Sequence, residues 1–292
     1  MSDAEPSEQD QGPQDVALSD LTPEDKARRA ASFGGVASLY ERYRPGPSPA
    51  AVEWILSPSV GRVVDLGAGT GALTRLLRER VQDVIAVEPD DRMRSVLERE
   101  VPGVRAVKGR GESMPLPDSS VDAVLASSSW HWVEPVAALH EVGRVLVPGG
   151  ILGVLWSGPD PEGPFLAQAQ ALLAGRTSDA AGSSGTVDAP PSEVAGLFAG
   201  EARRPLPTLD IPAGAPFDQP DHEVFTWDVA LNADDMIGLL GTFSWIIMMS
   251  DEAQQRVFTE VRRLLRELLG VEGEVTVDVA FRADAWQARR HG

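Results

Sequence analysis

Nine residues, VVDLGAGTG at 63–71, carry the densest chemical signal in the chain: an apolar run feeds three glycines at alternate positions, and a helical pattern follows. Glycine lets the backbone approach a ligand closely and adopt angles that a side chain forbids. A strand that enters such a turn and leaves as a helix suits a nucleotide-type cofactor. The spacing alone does not choose among them, because Gly67, Gly69 and Ala72 also fit the dinucleotide pattern GxGxxG/A, and a plain structural turn is a further reading. The second signal is VEPD at 87–90. A carboxylate at the end of the next strand, Glu88, is placed to accept hydrogen bonds from both hydroxyls of a ribose. Its alternative role is a helix N-terminal charge, although Asp90 and Asp91 occupy that position better.

Elements able to position these residues surround them. Residues 62–66, 84–88, 104–108, 121–126 and 151–156 read as strands, largely apolar as expected when helices cover both faces of a parallel sheet. Between them, Leu73, Leu76 and Leu77, then Met93, Val96, Leu97 and Val101, recur at helical spacing. Strands alternating with helices of this length predict a doubly wound α/β sheet, with a core at 61–156. Ahead of it, two helical patterns flank Arg44-Pro45-Gly46-Pro47, where proline forbids helix continuation, and form an N-terminal helical lid at 26–60. Residues 1–25 hold eight acidic side chains and no lysine or arginine, which predicts a disordered acidic tail. Beyond Trp156 a helix is expected near 165–173, then a flexible insertion rich in Gly, Ser, Ala and Asp at 175–191. Extended segments at 205–227, an amphipathic helix marked by Val257, Val261, Leu264, Leu265 and Leu268, and an alternating strand at 274–281 follow. These make 157–292 a C-terminal half that completes the sheet's far edge and a substrate lid.

Composition narrows the function classes. A chain of 292 residues with 42% hydrophobic content suits one large core with decorations. It has no cysteine, which excludes disulfides and thiolate nucleophiles, and its four histidines are scattered, so no metal site is expected. A net charge of −18 opposes binding to phosphate backbones, so nucleic acid is not the expected partner. The chain starts acidic and polar, and its longest near-apolar run, 239–249, is too short to span a bilayer. No membrane association and a cytoplasmic location are expected.

From Val104 onward the motifs accumulate. GRGESMPLPDSSVDAV at 109–124, SSSWHWVEP at 127–135 and HEVGRVLVPGG at 140–150, added to the glycine turn and Glu88, make the chain resemble class I S-adenosylmethionine-dependent methyltransferases. In order and spacing they are similar to the ubiquinone/menaquinone-type family. LYERYRPGPSP at 39–49 and GTFSW at 241–245 look like its trans-aconitate methyltransferase-like branch. The resemblance implies a Rossmann-like, mostly parallel, seven-stranded sheet that binds S-adenosyl-L-methionine. By it, Asp65, Gly67, Ala68, Gly69 and Gly71 cradle the methionine portion, Glu88 with Pro89 holds the ribose, and Gly111 and Glu112 border the adenine. Arg110 departs from relatives with Asp or Thr at that place, and arginine cannot accept a hydrogen bond from the adenine amino group. Ser128 and His131, after the fourth strand, fall near the transferable methyl, and Tyr40 and Arg44 complete the cofactor site.

Methyl transfer from a sulfonium demands mainly alignment and dehydration, so no nucleophilic triad is needed. If the acceptor is a hydroxyl, His131 is the candidate general base; otherwise, flanked by Trp130 and Trp132, it braces the loop. Trp130, Trp227 and Trp245 are the candidate substrate-binding aromatics, suited to a small organic methyl acceptor, and Arg44 or Arg282 is able to pair with a substrate carboxylate. The competing functions are a catalytically inactive cofactor-binding protein and an NAD(P)-dependent reductase. Retention of the glycines and Glu88 opposes the first, and the motifs after Val104 oppose the second.

Overall fold

The structure, a computed structural model, describes Thr22 and residues 33–168, 207–270 and 273–292. The expected insertion at 175–191, and all of the expected acidic tail but Thr22, lie outside the described residues. Strands β1 (Arg62–Leu66), β2 (Asp83–Val87), β3 (Arg105–Val107), β4 (Val121–Ser127), β5 (Leu146–Pro159), β6 (Asp221–Leu231) and β7 (Val277–Arg289) form one sheet in the order β3-β2-β1-β4-β5-β7-β6. The first five run parallel, and β7 is antiparallel to both β5 and β6. This is the doubly wound architecture expected, with its order reversing at β1.

Alternate residues of the central strands go to opposite faces, which explains their continuous apolar character. Val64, Ile85, Val124 and Leu152 meet α5 (Pro135–Val145) through Ala138, Leu139 and Val142 on one face. Val63, Val84, Leu125 and Leu155 meet α2 (Pro49–Ile55) and α3 (Ala72–Arg78) on the other. Helix α2 buries Ala51, Val52 and Ile55 almost completely, so the second helix of the expected lid region packs on the sheet. Among the described residues of that region, α1 (Ala37–Tyr43), with the 3-10 turn Phe33–Val36 before it, remains outside that core.

The far edge departs from expectation in extent. The last strand continues to Arg289 instead of ending at Phe281, because Ala283, Ala285 and Ala288 are enclosed between β5 and β6. Alanines carry little hydrophobic signal, and here the antiparallel pairing on both sides buries them. Likewise β5 begins at Leu146, and among the described residues of 205–227 only the stretch from Asp221 is strand. Helices α6 (Ala233–Leu240), α7 (Ser244–Ile247) and α8 (Asp251–Leu269) follow β6 and build a third cluster against its end. Val257, Val261, Leu264 and Leu265 form the buried stripe of α8, as their spacing predicts.

Candidate active site

The glycine turn joins β1 to α3 with Gly67, Gly69 and Gly71 all in the left-handed region, at φ 69°, 57° and 98°. That backbone favours glycine at all three positions. The amides of Gly67 and Ala68 donate to the Val87 carbonyl at 2.8 and 3.1 Å, which fastens the turn to β2. A Cβ on Gly67 would stand 2.5 Å from the Ser129 Cβ, whereas one on Gly69 would meet nothing within 4 Å. The turn is therefore closed on one side and open at its middle.

Glu88, one residue past β2, is 7% exposed. Its two oxygens accept hydrogen bonds from the Gly69 amide at 2.8 Å and the Asp90 amide at 2.9 Å. Burial raises its carboxyl above the ordinary range, against the opposing pull of those two amides. Asp65 lies deeper, 1% exposed, and accepts a hydrogen bond from Thr74 Oγ1 at 2.5 Å. Burial, with the Glu88 charge adding to it, pushes the Asp65 carboxyl up to about 7. The Thr70 hydroxyl in the same turn is buried and has no hydrogen-bond partner among the described residues. Asp90 caps α4 (Asp91–Glu100) with its side chain, the competing role weighed for Glu88.

At the exit of β4, Ser128 holds φ at 50°, a left-handed conformation that costs a serine energy. Its amide donates to the Leu155 carbonyl, and Ser129 Oγ donates to the Leu66 carbonyl at 2.6 Å. His131 is half-buried, and its Nδ1 accepts from the Trp156 indole at 3.2 Å. Trp130 is 5% exposed and belongs to the sheet core, where it fills space. Gly111 lies against Val133, and Glu112 accepts from the Glu134 amide at 2.6 Å. Glu141 pairs with Arg144 at 2.7 Å, the structural ion pair that their spacing implies.

Helix α1 runs as a strap across this edge. Ala37 and Tyr40 pack on Met93 and Val96 of α4, just past Glu88. Glu41 pairs with Arg75 of α3 at 2.7 Å, and the Tyr43 ring lies on Gly238 of α6, where a Cβ would overlap it. Arg44 Nη1 donates to Thr242 Oγ1 at 3.4 Å. The strap thus touches the helices on both sides of the glycine turn. Trp227 packs on Phe281 across β6 and β7, ring centroids 5.8 Å apart, and backs the sheet's far end. The Trp245 side chain lies outside the described ones.

Residues 64–154 match the family described as Methyltransferase domain. An uncharacterized methyltransferase of Mycobacterium tuberculosis is 50% identical over 129 residues, 44% of this chain and 53% of that protein. The chain thus spans about half the length of that relative. Demethylmenaquinone methyltransferase of Thermus thermophilus is 34% identical over 156 residues, 51% of this chain and 67% of that protein. The chain belongs to the class I S-adenosylmethionine-dependent methyltransferases. The fold agrees: a candidate type II methyltransferase from Anaeromyxobacter dehalogenans superimposes with a TM-score of 0.54 at 23% identity, over 85% of this chain and 98% of that one.

The residues of this methyltransferase fit the family's cofactor, S-adenosyl-L-methionine. Gly69 leaves room for close backbone approach, Thr70 holds an unused hydroxyl, and two buried carboxylates favour a cationic ligand. Thr70 and Thr74 were not singled out in the sequence. Thr74 stands nine positions from Asp65, and only the strand-turn-helix geometry brings the two together.

Proposed function

We propose that this methyltransferase transfers a methyl group to a small organic acceptor at the carboxyl edge of β1 and β4. The observation that carries the reading is the open glycine turn bound to Glu88 through the Gly69 amide, with the Asp65 carboxyl beneath it. When bound, the cofactor supplies a methyl group on a positively charged sulfur. The chain's own part is placement. Glu88 has lone pairs left for the ribose hydroxyls, because each oxygen has engaged one amide. The Asp65 and Glu88 carboxylates stabilise positive charge, and α1 excludes water from above, which strengthens that attraction. Gly111 and Glu112 border the adenine, and Ser128 faces the reacting atoms.

His131, on this reading, braces the loop between β4 and α5, since its Nδ1 is occupied by the Trp156 indole. The acceptor is a small molecule and not nucleic acid, because a net charge of −18 repels phosphate backbones. The tyrosines of α1 and Phe243 suit a medium-sized organic compound, as in specialised metabolism. Among the described residues no helix is long and apolar enough to cross a membrane, which is compatible with a cytoplasmic enzyme. YRPGPSP and GTFSW favour the trans-aconitate-like branch within the family. The deciding experiment is calorimetry with S-adenosylhomocysteine and NADH, followed by labelled-methyl transfer to a cell extract. Binding of S-adenosylhomocysteine alone and a labelled small product are expected; NADH binding would overturn the reading.

A further inference from the structure

Near the end of β5, Trp156 and Ser157 point to opposite faces of the sheet. Trp156 takes the α5 face, where its indole holds His131. Ser157 takes the other, because it alternates with Leu155 and stands directly opposite Ala283 of β7, both members of the cluster under α2 and α3. Around it on that face, Leu155, Ala283 and Phe281 are apolar and 2% exposed or less. Within this wall the Ser157 hydroxyl is buried and has no hydrogen-bond partner among the described residues. A buried hydroxyl in that state weakens the free protein, which points to a partner that a ligand brings.

Strand register places that hydroxyl. The Leu155 carbonyl accepts from the Ser128 amide at 2.8 Å, and Leu155 pairs with Ser127 at the end of β4. Ser157 lies two residues further along β5, about 7 Å closer to the carboxyl edge, and one strand spacing of about 5 Å to the side of β4. In the order β1-β4-β5 it stands on the side of β4 away from the glycine turn and Glu88. Two other buried oxygens without partners, Thr70 Oγ1 and Glu41 Oε2, lie on the cofactor's side, in the glycine turn and beside Arg75 of α3. We propose that Ser157 binds an uncharged oxygen of the methyl acceptor, a hydroxyl or carbonyl, beside the exit of β4. An ionised group is a poor fit, because Leu155, Ala283 and Phe281 offer it no counter-charge. The proposal rests on the methyl-transfer reading of the site. The cofactor's own polar groups are the second source of a partner, and the test separates the two.

Full-length wild type, Ser157→Ala and Ser157→Cys would be compared by melting temperature, by calorimetry with S-adenosylhomocysteine, and by labelled-methyl transfer from S-adenosylmethionine. The probe for transfer is a dilution series of the small-molecule fraction of a cell extract. Free Ser157→Ala should melt at or above wild type, because it loses no internal hydrogen bond. Its S-adenosylhomocysteine affinity should be unchanged. The amount of extract that gives half-maximal labelling should rise about tenfold, the size of one neutral hydrogen bond, at an unchanged maximal rate. Ser157→Cys should behave in the same way, since a thiol of similar size is a weak donor. The labelled product, identified by mass spectrometry, should carry an uncharged oxygen. A half-maximal point unmoved in both variants, or a product without such an oxygen, overturns the proposal. So does a tenfold loss of S-adenosylhomocysteine affinity, since Ser157 would then serve the cofactor. A Ser157→Ala protein that melts well below wild type or does not fold overturns it as well, because the hydroxyl would then have an internal partner. Absence of any labelled product from wild type would instead overturn the methyl-transfer reading.

Discussion

Asp65 and Glu88 stand at the carboxyl ends of adjacent parallel strands, and the charge on Glu88 adds to burial in pushing the Asp65 carboxyl up to about 7. Below about pH 7 the folded protein therefore holds a proton on Asp65 that the unfolded chain releases at lower pH.

That proton sets a pH dependence with a definite sign. Between the ordinary carboxyl value of 3.8 and about 7, native Asp65 holds more protons than the unfolded chain, so its contribution makes stability fall as pH rises. The full penalty, on the order of 4 kcal/mol, is present above that window. Asp65→Asn keeps an acceptor for Thr74 and removes the charge. Its melting temperature should gain on wild type steadily from pH 5 to pH 8, while its affinity for S-adenosylmethionine falls. A difference that does not change with pH would show that Asp65 titrates normally.

Replacing Glu88 with alanine leaves the Gly69 and Asp90 amides without their acceptor and, on the proposed reading of the site, the two ribose hydroxyls as well. S-adenosylhomocysteine binding should weaken by roughly 1–3 kcal/mol, with Glu88→Gln between mutant and wild type because one oxygen remains. Calorimetry on folded protein decides this. An unchanged dissociation constant removes Glu88 from the site.

Two glycines of the turn should fail differently. Both Gly67→Ala and Gly69→Ala place a side chain at positive φ, at a cost of about 1–2 kcal/mol. Gly67→Ala also drives its Cβ into Ser129, so its melting temperature should fall further. Gly69→Ala projects into the open face, and should lose cofactor affinity out of proportion to its loss of stability. Equal ratios of affinity to stability in the two variants would contradict an open ligand face at Gly69.

The two roles weighed for His131 separate by substitution. His131→Ala strands the Trp156 indole and should cost about 1 kcal/mol of stability, which His131→Gln should restore, since its amide oxygen can accept. A glutamine cannot act as a base. Turnover by His131→Gln near wild type, with the acidic limb of the pH profile retained, is the expected result. A drop on the order of 10²–10⁴-fold would instead identify His131 as the general base.

The doubly wound sheet and its glycine turn were legible in the sequence for physical reasons. Strands buried on both faces must be apolar throughout, so β1, β2, β4 and the second half of β5 show as short hydrophobic runs. A turn with three left-handed residues selects for glycine, so 67, 69 and 71 announce themselves. The Asp90 cap and the Glu141–Arg144 pair were legible as well, because they join residues within one turn of a helix.

What pairs across the chain was not. The second half of β7 is buried through alanines, whose small side chains signal burial only once two neighbouring strands enclose them. Trp156 reaches His131 from 25 positions away, and Thr242 reaches Arg44 from 198. Residue type and spacing by themselves determined the fold class, the glycine turn and the carboxylate after β2, because those follow from local backbone geometry and burial. Tertiary structure alone decided that burial raises the Asp65 carboxyl, that Trp130 belongs to the core, that His131 is held by an indole, and that among the described residues no carboxylate pairs with Arg44. Each of these depends on which groups the folded chain brings within a few ångströms and on how far water is excluded, quantities that no local pattern encodes.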